Sequence, residues 1–353
     1  MNKKAIIAMS GGVDSSVSAL LMLEKGYECM GMTMSLFDTN ELGLPERSHD
    51  DVADAKAVCD RLGIEHIACD FKQEFKCHVI SRFVSAYEKG RTPNPCIDCN
   101  RNLKFGKMID EAQRLGYDYI ATGHYARIVY DEEKGRYLLR KAADPAKDQS
   151  YVLYNMTQHQ LSHTIFPLGE LTKPEVREIA EKNNFVNAHK GDSQDICFIP
   201  DGDYASFIEK RRGRKFPPGN FIDESGKVLG RHKGIIHYTV GQRKGLGLAL
   251  PQPMYVKAID VKANTVILTT NSGLFTTKVV AKSINLIDCD RITKPRRVKA
   301  RIRYHQQEQW ATVIQTDDDT LELEFDEPQR AITKGQSLVM YEDDFVVGGG
   351  VIC

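Results

Sequence analysis

The sequence predicts an α/β domain with a parallel sheet, followed by two β-rich domains, the last of them barrel-like. Two observations support this prediction. Up to about residue 200, short apolar runs alternate with amphipathic helical patterns, which is typical of parallel strands joined by crossover helices. Beyond residue 205, glycine and proline become frequent and short β-type runs follow one another. We place the three domains at 1–205, 206–272 and 273–353.

In the first domain, the apolar run Lys4–Met9 predicts the first strand, and three further runs of this kind predict its neighbours. The helices between them show apolar residues on one face, and each is ended by a glycine. The expected strands are Lys4–Met9, Glu28–Met34, Glu65–Cys69 and Tyr119–Thr122, and the expected helices are Val13–Lys25, Asp51–Leu62 and Phe105–Leu115.

In the two later domains, the expected elements are short strands without intervening helices. They are Tyr255–Ile259, Thr265–Leu268, Val279–Ile284, Arg297–Tyr304, Gln309–Ile314, Thr320–Phe325 and Ser337–Tyr341.

The composition is that of an ordinary globular protein, with 41% apolar and 27% charged residues among 353. No apolar run reaches the roughly 18 residues needed to cross a bilayer, and the first residues lack a signal-peptide core. We therefore expect a cytoplasmic protein without a membrane partner. The net charge of zero hides an asymmetry, because residues 201–305 hold 21 Lys and Arg against 8 Asp and Glu. This excess of +13 indicates a polyanion partner.

A glycine-rich segment, Ala8-Met9-Ser10-Gly11-Gly12-Val13-Asp14-Ser15, joins the first strand to the first helix. Its glycines let the backbone approach an anion, and the N–H groups at the helix start favour a pyrophosphate. Ser-Gly-Gly-x-Asp-Ser after an apolar strand resembles the loop of the pyrophosphatase-loop family of ATP-adenylating enzymes. That resemblance implies ATP with Mg²⁺, with Asp14 assisting the metal–pyrophosphate group and Ser15 bonding phosphate.

Two segments carry thiols of interest. The nine cysteines are odd in number and the chain has no secretory signal, which argues against a disulfide framework. Cys96 and Cys99 lie in a proline-stiffened loop, and Cys197 lies 98 positions beyond Cys99. Lys104 and Arg101 near the first loop could favour a thiolate there.

A basic segment near the end, Arg297-Val298-Lys299-Ala300-Arg301-Ile302-Arg303, alternates strictly between cations and apolar residues. As a strand it would bury Val298, Ala300 and Ile302 and present four cations to phosphates, with Tyr304 and His305 adjoining. The alternative is a solvated strand face paired with the acidic stretch 317–327. A second basic run, Lys210–Lys215, has five cations in six residues.

Six segments in order resemble the tRNA-specific 2-thiouridylase family. They are Met9–Ser15, Asn94-Pro95-x-x-x-Cys99-Asn100, Ala121-Thr122-Gly123-His124-Tyr125-Ala126, Lys147-Asp148-Gln149-Ser150-Tyr151, Asp192-Ser193-Gln194-Asp195-Ile196-Cys197-Phe198 and Tyr238-Thr239-Val240-Gly241-Gln242-Arg243-Lys244-Gly245. The resemblance implies a first domain of the adenine nucleotide alpha hydrolase type and ATP-dependent 2-thiolation of the wobble uridine of tRNA.

The resemblance also assigns residues. Cys197 would carry a persulfide delivered by a sulfur-relay protein or cysteine desulfurase, and Cys99 would be the second thiol. The AMP site would comprise Ala8, Met9, Ser10, Gly11, Gly12, Val13, Asp14, Ser15, Met34 and Gly123. The target base would meet Asn94, Pro95 and Cys96. The tRNA, of the lysine, glutamate and glutamine acceptors, would meet His124, Lys147, Asp148, Gln149, Arg303, Tyr304 and Gln336.

Several alternatives stay open. Many family members carry an acidic residue where this chain has Cys96, and three thiolates from Cys96, Cys99 and Cys197 could hold a 4Fe-4S cluster or, less well, zinc. His159 and His163 have the spacing of a zinc-protease pair, but Gln160 replaces the catalytic glutamate. The rival functions are an ATP-pyrophosphatase-type ligase or amidotransferase acting on a small metabolite, and a non-catalytic tRNA-binding redox protein.

Overall fold

The computed structural model describes residues 3–42, 50–191 and 196–353. Within the first 200 residues the strands are β1 (Lys4–Ala8), β2 (Glu28–Ser35), β3 (His66–Asp70), β4 (Tyr119–Ala121), β5 (Arg127–Asp131), β6 (Arg136–Arg140) and β7 (Thr164–Ile165). Five of them form a parallel sheet in the order β3-β2-β1-β4-β7, which confirms the predicted fold class. All four strands predicted for this domain are present.

The α-helices of this region are α1 (Val13–Glu24), α2 (Thr39–Leu42), α3 (Asp51–Leu62), α4 (Lys72–Phe75), α5 (Ser81–Glu88), α6 (Pro95–Cys99), α7 (Met108–Arg114), α8 (Ser150–Leu153), α9 (Gln158–Ser162) and α10 (Lys173–Lys182). Two π-helical segments, Lys76–Ile80 and Asn100–Lys107, connect neighbouring α-helices. The prediction of a helix over Phe105–Leu115 therefore captured only the end of a longer helical unit that starts at Pro95.

The remaining chain is mainly β-structure. After α11 (Tyr204–Arg212), β8 (Gly219–Ile222), β9 (Val228–His232), β10 (Tyr255–Asp260) and β11 (Thr265–Thr269) form a sheet in the order β10-β11-β8-β9. Short 3₁₀-helices occur at Ile235–His237 and Ser272–Leu274. The last strands are β12 (Phe275–Leu286), β13 (Arg296–Arg301), β14 (Gln309–Asp317), β15 (Thr320–Arg330), β16 (Ser337–Glu342) and β17 (Phe345–Ile352).

The last six strands close into a barrel, because β12 pairs with β15 on one side and with β17 on the other. This confirms the predicted barrel-like end. The hairpin β5–β6 was not predicted, and it extends the barrel sheet where Arg140 pairs with Phe345 of β17. A hairpin of the first domain is thus continuous with the last domain.

Strand β17 was also missed, because its Gly348-Gly349-Gly350 run does not look like a strand. A Cβ at Gly348 would lie 2.3 Å from the carbonyl oxygen of Asn285 on β12. Glycine is therefore required where the barrel closes. No helix in the described part of the chain is long and apolar enough to cross a membrane.

One hydrophobic core cluster matters for the site. We call it the aromatic cluster, after Phe75, Phe83, Phe198 and Phe207, whose rings contact one another at centroid distances of 5.3–6.5 Å. These four residues come from α4, α5, the segment after residue 195, and α11. The cluster therefore ties the first domain to the chain that follows it.

Candidate functional site

The glycine loop lies at the carboxyl end of β1, where open parallel sheets bind ligands. Strand β1 ends at Ala8, Met9 donates its N–H to the carbonyl of Met32 at 2.8 Å, and α1 begins at Val13. Gly11 has a φ of +71°, and a Cβ there would meet the Asp51 carbonyl oxygen at 2.6 Å. The start of α1, whose first N–H groups have no partner within the helix, therefore follows a turn that favours glycine.

The hydroxyl groups of the loop stabilise its conformation through hydrogen bonds within the loop. Ser15 Oγ accepts a hydrogen bond from the Ser10 N–H at 3.2 Å and donates to the Gly12 carbonyl at 2.9 Å. Ser16 Oγ donates to the same carbonyl at 3.1 Å. The expected phosphate ligand Ser15 thus already has two partners in the protein.

Asp14 is the acidic residue in the first turn of α1, and two residues far away in sequence bond to it. Tyr125 Oη donates to Asp14 Oδ1 at 2.8 Å, and Lys173 Nζ lies 2.7 Å and 2.9 Å from the two carboxylate oxygens. The Lys173 side chain is only 9% exposed. Sequence reasoning missed Lys173, since a lysine at the first position of a capped helix normally faces solvent.

Two further expected residues of the nucleotide site lie at the same edge of the sheet. Gly123 follows β4, and a Cβ there would lie 2.9 Å from the Asp14 backbone carbon and 3.0 Å from the Ser15 nitrogen. Met34 lies near the carboxyl end of β2 and packs against the aromatic cluster. The structure therefore brings Gly123 against the loop and places Met34 at the same edge of the sheet.

The loop is also tied to the chain that leads to Cys197. Asn187 Nδ2 donates to the Gly11 carbonyl at 3.0 Å, and Lys190 Nζ donates to it at 3.2 Å. Lys190 also pairs with Asp51 and Asp54 at 2.9 Å each. Sequence reasoning did not single out Asn187 or Lys190, and no motif marks them.

The thiol helix, α6 with the following π-segment, starts at a capped turn. Asn94 Oδ1 accepts the N–H of Cys96 at 3.1 Å, and Pro95 occupies the first helical position, where its missing N–H costs nothing. Cys96 reaches the surface and Cys99 is partly buried. The expected base-contact residues Asn94, Pro95 and Cys96 thus form one helix start with Cys99 one turn further on.

Burial raises the pKa of both thiols. For Cys99 the surrounding protein raises it to about 11, with Lys104 acting in the opposite direction. The pKa of Cys96 is also raised, although its side chain reaches the surface, because nearby protein displaces water from the thiolate. Lys104 again lowers it.

Cys197 is exposed, and the residues beside it pack where Cys99 packs. Phe198 belongs to the aromatic cluster, and Ile196 and Cys99 both pack against that cluster. The two thiol segments therefore meet at one hydrophobic core, 98 positions apart in sequence. The motif residues Asp192, Ser193, Gln194 and Asp195 lie outside the described residues. Among the described residues, no three His, Cys, Asp or Glu side chains are grouped as metal ligands, so Cys96, Cys99 and Cys197 do not form such a set.

The expected tRNA-contact residues lie where the first domain meets the barrel. Gln336 Nε2 donates to the Thr92 carbonyl at 2.8 Å, and the Thr92 N–H donates to the Lys334 carbonyl at 2.8 Å. Tyr304 Oη donates to the Asp148 carbonyl at 3.4 Å. The contacts of Gln336 and Lys334 with Thr92 bring barrel residues beside the loop that leads to Cys96.

Several of these side chains are already engaged. His124 is only 8% exposed, its Nδ1 lies 2.8 Å from Thr122 Oγ1, and burial holds its pKa well below the ordinary value. Asp148 is buried and pairs with Arg301 at 3.1 Å, while Gln149 accepts the Tyr125 N–H at 2.9 Å. In this conformation, His124, Asp148 and Gln149 support the site from within.

The basic stripe on β13 corrects one expectation. Val298, Ala300 and Ile302 are buried as predicted. The cations, however, are largely engaged within the protein, contrary to the prediction of four available for phosphate. Arg297 makes two 2.7 Å bonds to Asp326, Arg301 bonds to Asp148 and Glu308, and Arg303 donates to the Ala331 carbonyl and Thr333. The acidic stretch of β15 therefore neutralises Arg297.

Cations of the middle region are more available. Within residues 3–42, 50–191 and 196–353, no carboxylate lies within ion-pair distance of seven exposed side chains of the middle domain, those of Lys210, Lys227, Arg231, Lys233, Arg243, Lys244 and Lys262. The excess charge of the middle region thus reaches solvent mainly there.

A parallel sheet with an anion-binding glycine loop, extended by β-sheet and β-barrel domains, defines a multidomain nucleotide-binding protein of the α/β class. Three family models match the chain: a tRNA methyl transferase HUP domain over residues 3–201, a tRNA methyl transferase PRC-barrel domain over 205–270, and an aminomethyltransferase β-barrel domain over 276–352.

Curated relatives match along their whole length. The tRNA-specific 2-thiouridylase MnmA of Acetivibrio thermocellus is 50% identical, covering 99% of each chain, and that of Clostridioides difficile is 47% identical, covering 100% of this chain and 98% of the relative. The chain therefore belongs to the tRNA-specific 2-thiouridylase family. Among solved structures, the U34-tRNA thiolase NcsA from Methanococcus maripaludis aligns at 20% identity and a TM-score of 0.35, over 60% of this chain and 70% of that one.

Proposed function

We propose that this protein is a tRNA-uridine 2-sulfurtransferase that uses ATP to thiolate the wobble uridine. The observation that carries the proposal is the packing of Met34, Cys99 and Ile196 against the same aromatic cluster. Because Met34 lies at the nucleotide edge of the sheet and Ile196 adjoins Cys197, this packing supports one site for nucleotide and sulfur. Family membership supports the choice of substrate.

In the first step, the uracil C2 oxygen attacks the α-phosphorus of ATP, and pyrophosphate leaves. The N–H groups at the start of α1 bind the polyphosphate, and the missing side chain of Gly123 lets its backbone approach Asp14 and Ser15. Mg²⁺ bound with the pyrophosphate would neutralise its charge, with Asp14 as the nearest carboxylate of the loop. The step turns a poor leaving group, the C2 oxygen, into AMP.

In the second step, the terminal sulfur of a Cys197 persulfide attacks C2, and AMP leaves with the oxygen. The Cys99 thiolate then attacks Cys197 Sγ and breaks the sulfur–sulfur bond, which leaves the terminal sulfur on the base. The products are 2-thiouridine, AMP and a Cys99–Cys197 disulfide. A thiol reductant returns both cysteines to their starting state, and a sulfur-relay protein or cysteine desulfurase reloads Cys197.

The substrate is the anticodon region of tRNA, with lysine, glutamate and glutamine acceptors implied by the family. The C2 oxygen becomes accessible when the base leaves its stack. Lys147 and the exposed cations of the middle region supply phosphate contacts, whereas Arg303 donates to Ala331 and Thr333 within the protein. Gln336 borders the loop before Cys96, and Tyr304 contacts Asp148. We place His124, Asp148 and Gln149 beneath this surface as its support.

The described side chains do not fit an iron–sulfur cluster in this conformation, because no three potential ligands are grouped. We therefore derive no step through a cluster. The persulfide route uses Cys99 and Cys197 as a reacting pair and needs no third ligand. Cys96 then borders the base, in the place of the acidic residue of other family members.

The test is nucleoside mass spectrometry of tRNA incubated with the protein, ATP and a persulfide donor. We expect 2-thiouridine with the native chain and none, at least about a 1000-fold loss, with Cys99→Ser or Cys197→Ser, since each removes an obligatory sulfur. Cys77→Ser is the matched control, because Cys77 is exposed and lies outside the site. AMP released at equal rates without tRNA would instead favour a small-metabolite ligase, and tRNA binding without AMP release a redox protein.

A further inference from the structure

The short segment 187–190 follows helix α10 and precedes Cys197, and both of its end residues bond to the nucleotide loop. Asn187 is buried, and its Nδ2 donates to the Gly11 carbonyl at 3.0 Å and to Ser16 Oγ at 2.9 Å. Lys190 Nζ donates to the same Gly11 carbonyl at 3.2 Å. Two side chains from one segment therefore hold a single carbonyl of the loop, although they are distant from it in sequence.

Lys190 also joins this segment to the start of helix α3. Its ammonium lies 2.9 Å from Asp51 Oδ1 and 2.9 Å from Asp54 Oδ2, and both acids belong to the first turn of α3. The Lys190 side chain is 23% exposed, so water screens these two ion pairs only in part. One ammonium thus connects the nucleotide loop, α3 and the chain that leads to Cys197. We call its three contacts the Lys190 anchor.

The chain that carries Cys197 is fixed at a second place as well. Ile196 packs against the aromatic cluster, and the Phe198 ring lies 5.6 Å from the ring of Phe75 within it. Cys197 lies seven residues after Lys190, and seven residues of extended chain span at most about 25 Å. The Lys190 anchor therefore limits how far the sulfur carrier can move from the nucleotide loop.

We propose that Lys190 is a positioning residue for sulfur transfer, whose anchor holds the segment of Cys197 beside the bound nucleotide. The proposal rests on the proposed function, because that reaction requires the persulfide to reach C2 of the adenylated base before water does. Water that attacks the adenylated base releases AMP and returns uridine, so ATP is consumed without product. A misplacement of about 1 Å can slow a reaction about 100-fold, which would let hydrolysis compete with transfer.

A lysine beside a nucleotide loop could instead bind the polyphosphate directly. The Lys190 ammonium has three N–H donors, and three oxygen acceptors of the protein already lie at 2.9–3.2 Å from it. A direct contact with ATP would require the loss of one of these bonds, so the geometry favours the anchor. The two roles also differ in their kinetics. Loss of a phosphate ligand raises the KM for ATP, whereas loss of the anchor lowers the yield of 2-thiouridine per AMP.

The test compares AMP with 2-thiouridine in single turnovers. The protein is loaded by a small-molecule persulfide donor, the load on Cys197 is measured by peptide mass spectrometry, and unmodified lysine tRNA with ATP starts the reaction. We expect the native chain to form about one 2-thiouridine for each AMP. With Lys190→Met we expect at most about one for every ten AMP, while the rate of AMP formation and its dependence on ATP change less than about threefold.

Lys182→Met is the matched control, because Lys182 lies on α10, is exposed and pairs with Glu178 at 2.6 Å. We expect it to keep the native ratio, and Lys190→Arg, which keeps the charge, to restore at least about half of that ratio. A native ratio in Lys190→Met would overturn the proposal. A normal ratio with an ATP requirement raised more than about tenfold would also overturn it and assign Lys190 to ATP binding. If Lys190→Met does not fold, Lys190→Gln against Lys190→Arg gives the same comparison.

Hydrogen exchange tests the anchor without the reaction. We expect the amides of residues 186–191 to exchange at least about tenfold faster in Lys190→Met than in the native chain or Lys182→Met. Equal exchange in all three proteins would overturn the anchor. A native protein that makes no 2-thiouridine but shows this difference would contradict the proposed function and leave the anchor in place.

Discussion

The nucleotide loop and the thiol helix each use a lysine, and the two lysines are in opposite situations. Lys173 is almost fully buried and bonded to both oxygens of Asp14, so its charge is neutralised before any ligand arrives. Lys104 is partly buried beside two thiols and, in the described chain, has no carboxylate within ion-pair distance. The charge of one lysine is therefore neutralised within the protein, whereas the charge of the other lowers the pKa of Cys96 and Cys99.

On the proposed function, the two lysines differ because the two regions bind different anions. A polyphosphate arrives as an anion and needs N–H groups held still, which favours a loop whose side chains already hold one another. Ser15, Asp14 and Gly11 all have partners within the protein. A thiolate forms only by losing a proton, so a fixed counter-carboxylate beside Lys104 would cancel the stabilisation that the sulfur needs.

Among the variants of the nucleotide loop and its neighbours, we expect Gly123→Ala to reduce ATP affinity most. Its Cβ would lie 2.9 Å from the backbone of Asp14, which cannot move without opening the start of α1. We expect a cost of about 3 kcal/mol, or about a 100-fold weaker ATP affinity by calorimetry. Gly191→Ala is the control, since no heavy atom of residues 3–42, 50–191 and 196–353 lies within 4 Å of its added Cβ. An unchanged affinity in Gly123→Ala would mean that ATP does not use this edge of the sheet.

A smaller perturbation is Lys173→Met, which keeps the side-chain length and removes the charge. Asp14 would then face the polyphosphate with only the Tyr125 hydroxyl to offset it. We expect about 2 kcal/mol, or about 30-fold weaker ATP binding, with thermal unfolding and Cys99 alkylation little changed. Lys182→Met on the same helix is the control, because Lys182 is exposed and pairs with Glu178 on the solvent side of the helix. Equal losses in both variants would show that the charge of Lys173 has no special part.

The fold could be predicted from the sequence where a local pattern determines the secondary structure. Helix α3 and the strands β1, β2 and β11 occur where periodicity, apolar runs and glycine stops placed them. Strand β17 and the π-helical segment Asn100–Lys107 could not be predicted in this way. The first depends on backbones approaching at Gly348, and the second on Gln160 meeting the Arg101 carbonyl from another helix. Both are long-range contacts that no local pattern encodes.

The residues of the site also fall into those that a local motif identifies and those that only a long-range contact reveals. The loop and the two thiol segments could be named from motifs, because their chemistry needs those residue types together. Lys173 and Asn187 could not, since each acts through a contact with the loop 159 or 171 positions away. The prediction that the cations on β13 are available for phosphate was wrong for a related reason. The alternation placed Arg297 on the outer face correctly, but its pairing with Asp326 depends on the register of β13, β14 and β15.

The smallest expected effect is a difference in pH dependence between sulfur transfer and ATP binding. Because burial raises the pKa of Cys99 to about 11, only a small fraction of this thiol is ionised near neutral pH. That fraction rises about tenfold for each pH step of 1 below the pKa, so single-turnover formation of 2-thiouridine on a preloaded persulfide should rise up to about tenfold from about pH 7.5 to about pH 8.5. ATP affinity, which depends on backbone N–H groups and glycines, should change by less than about twofold over the same range.

Lys104→Met makes this experiment decisive. The variant should keep the slope of the pH profile while lying below the native curve at every pH, because it ionises the same sulfur less readily. Lys173→Met should instead lower the rate only when ATP is limiting, and saturating ATP should restore it. A flat native profile would show that Cys99 ionisation does not limit transfer. The effect of Lys104 on the pKa of Cys99 would then not change the rate of sulfur transfer, and the two lysines would differ only in how deeply they are buried.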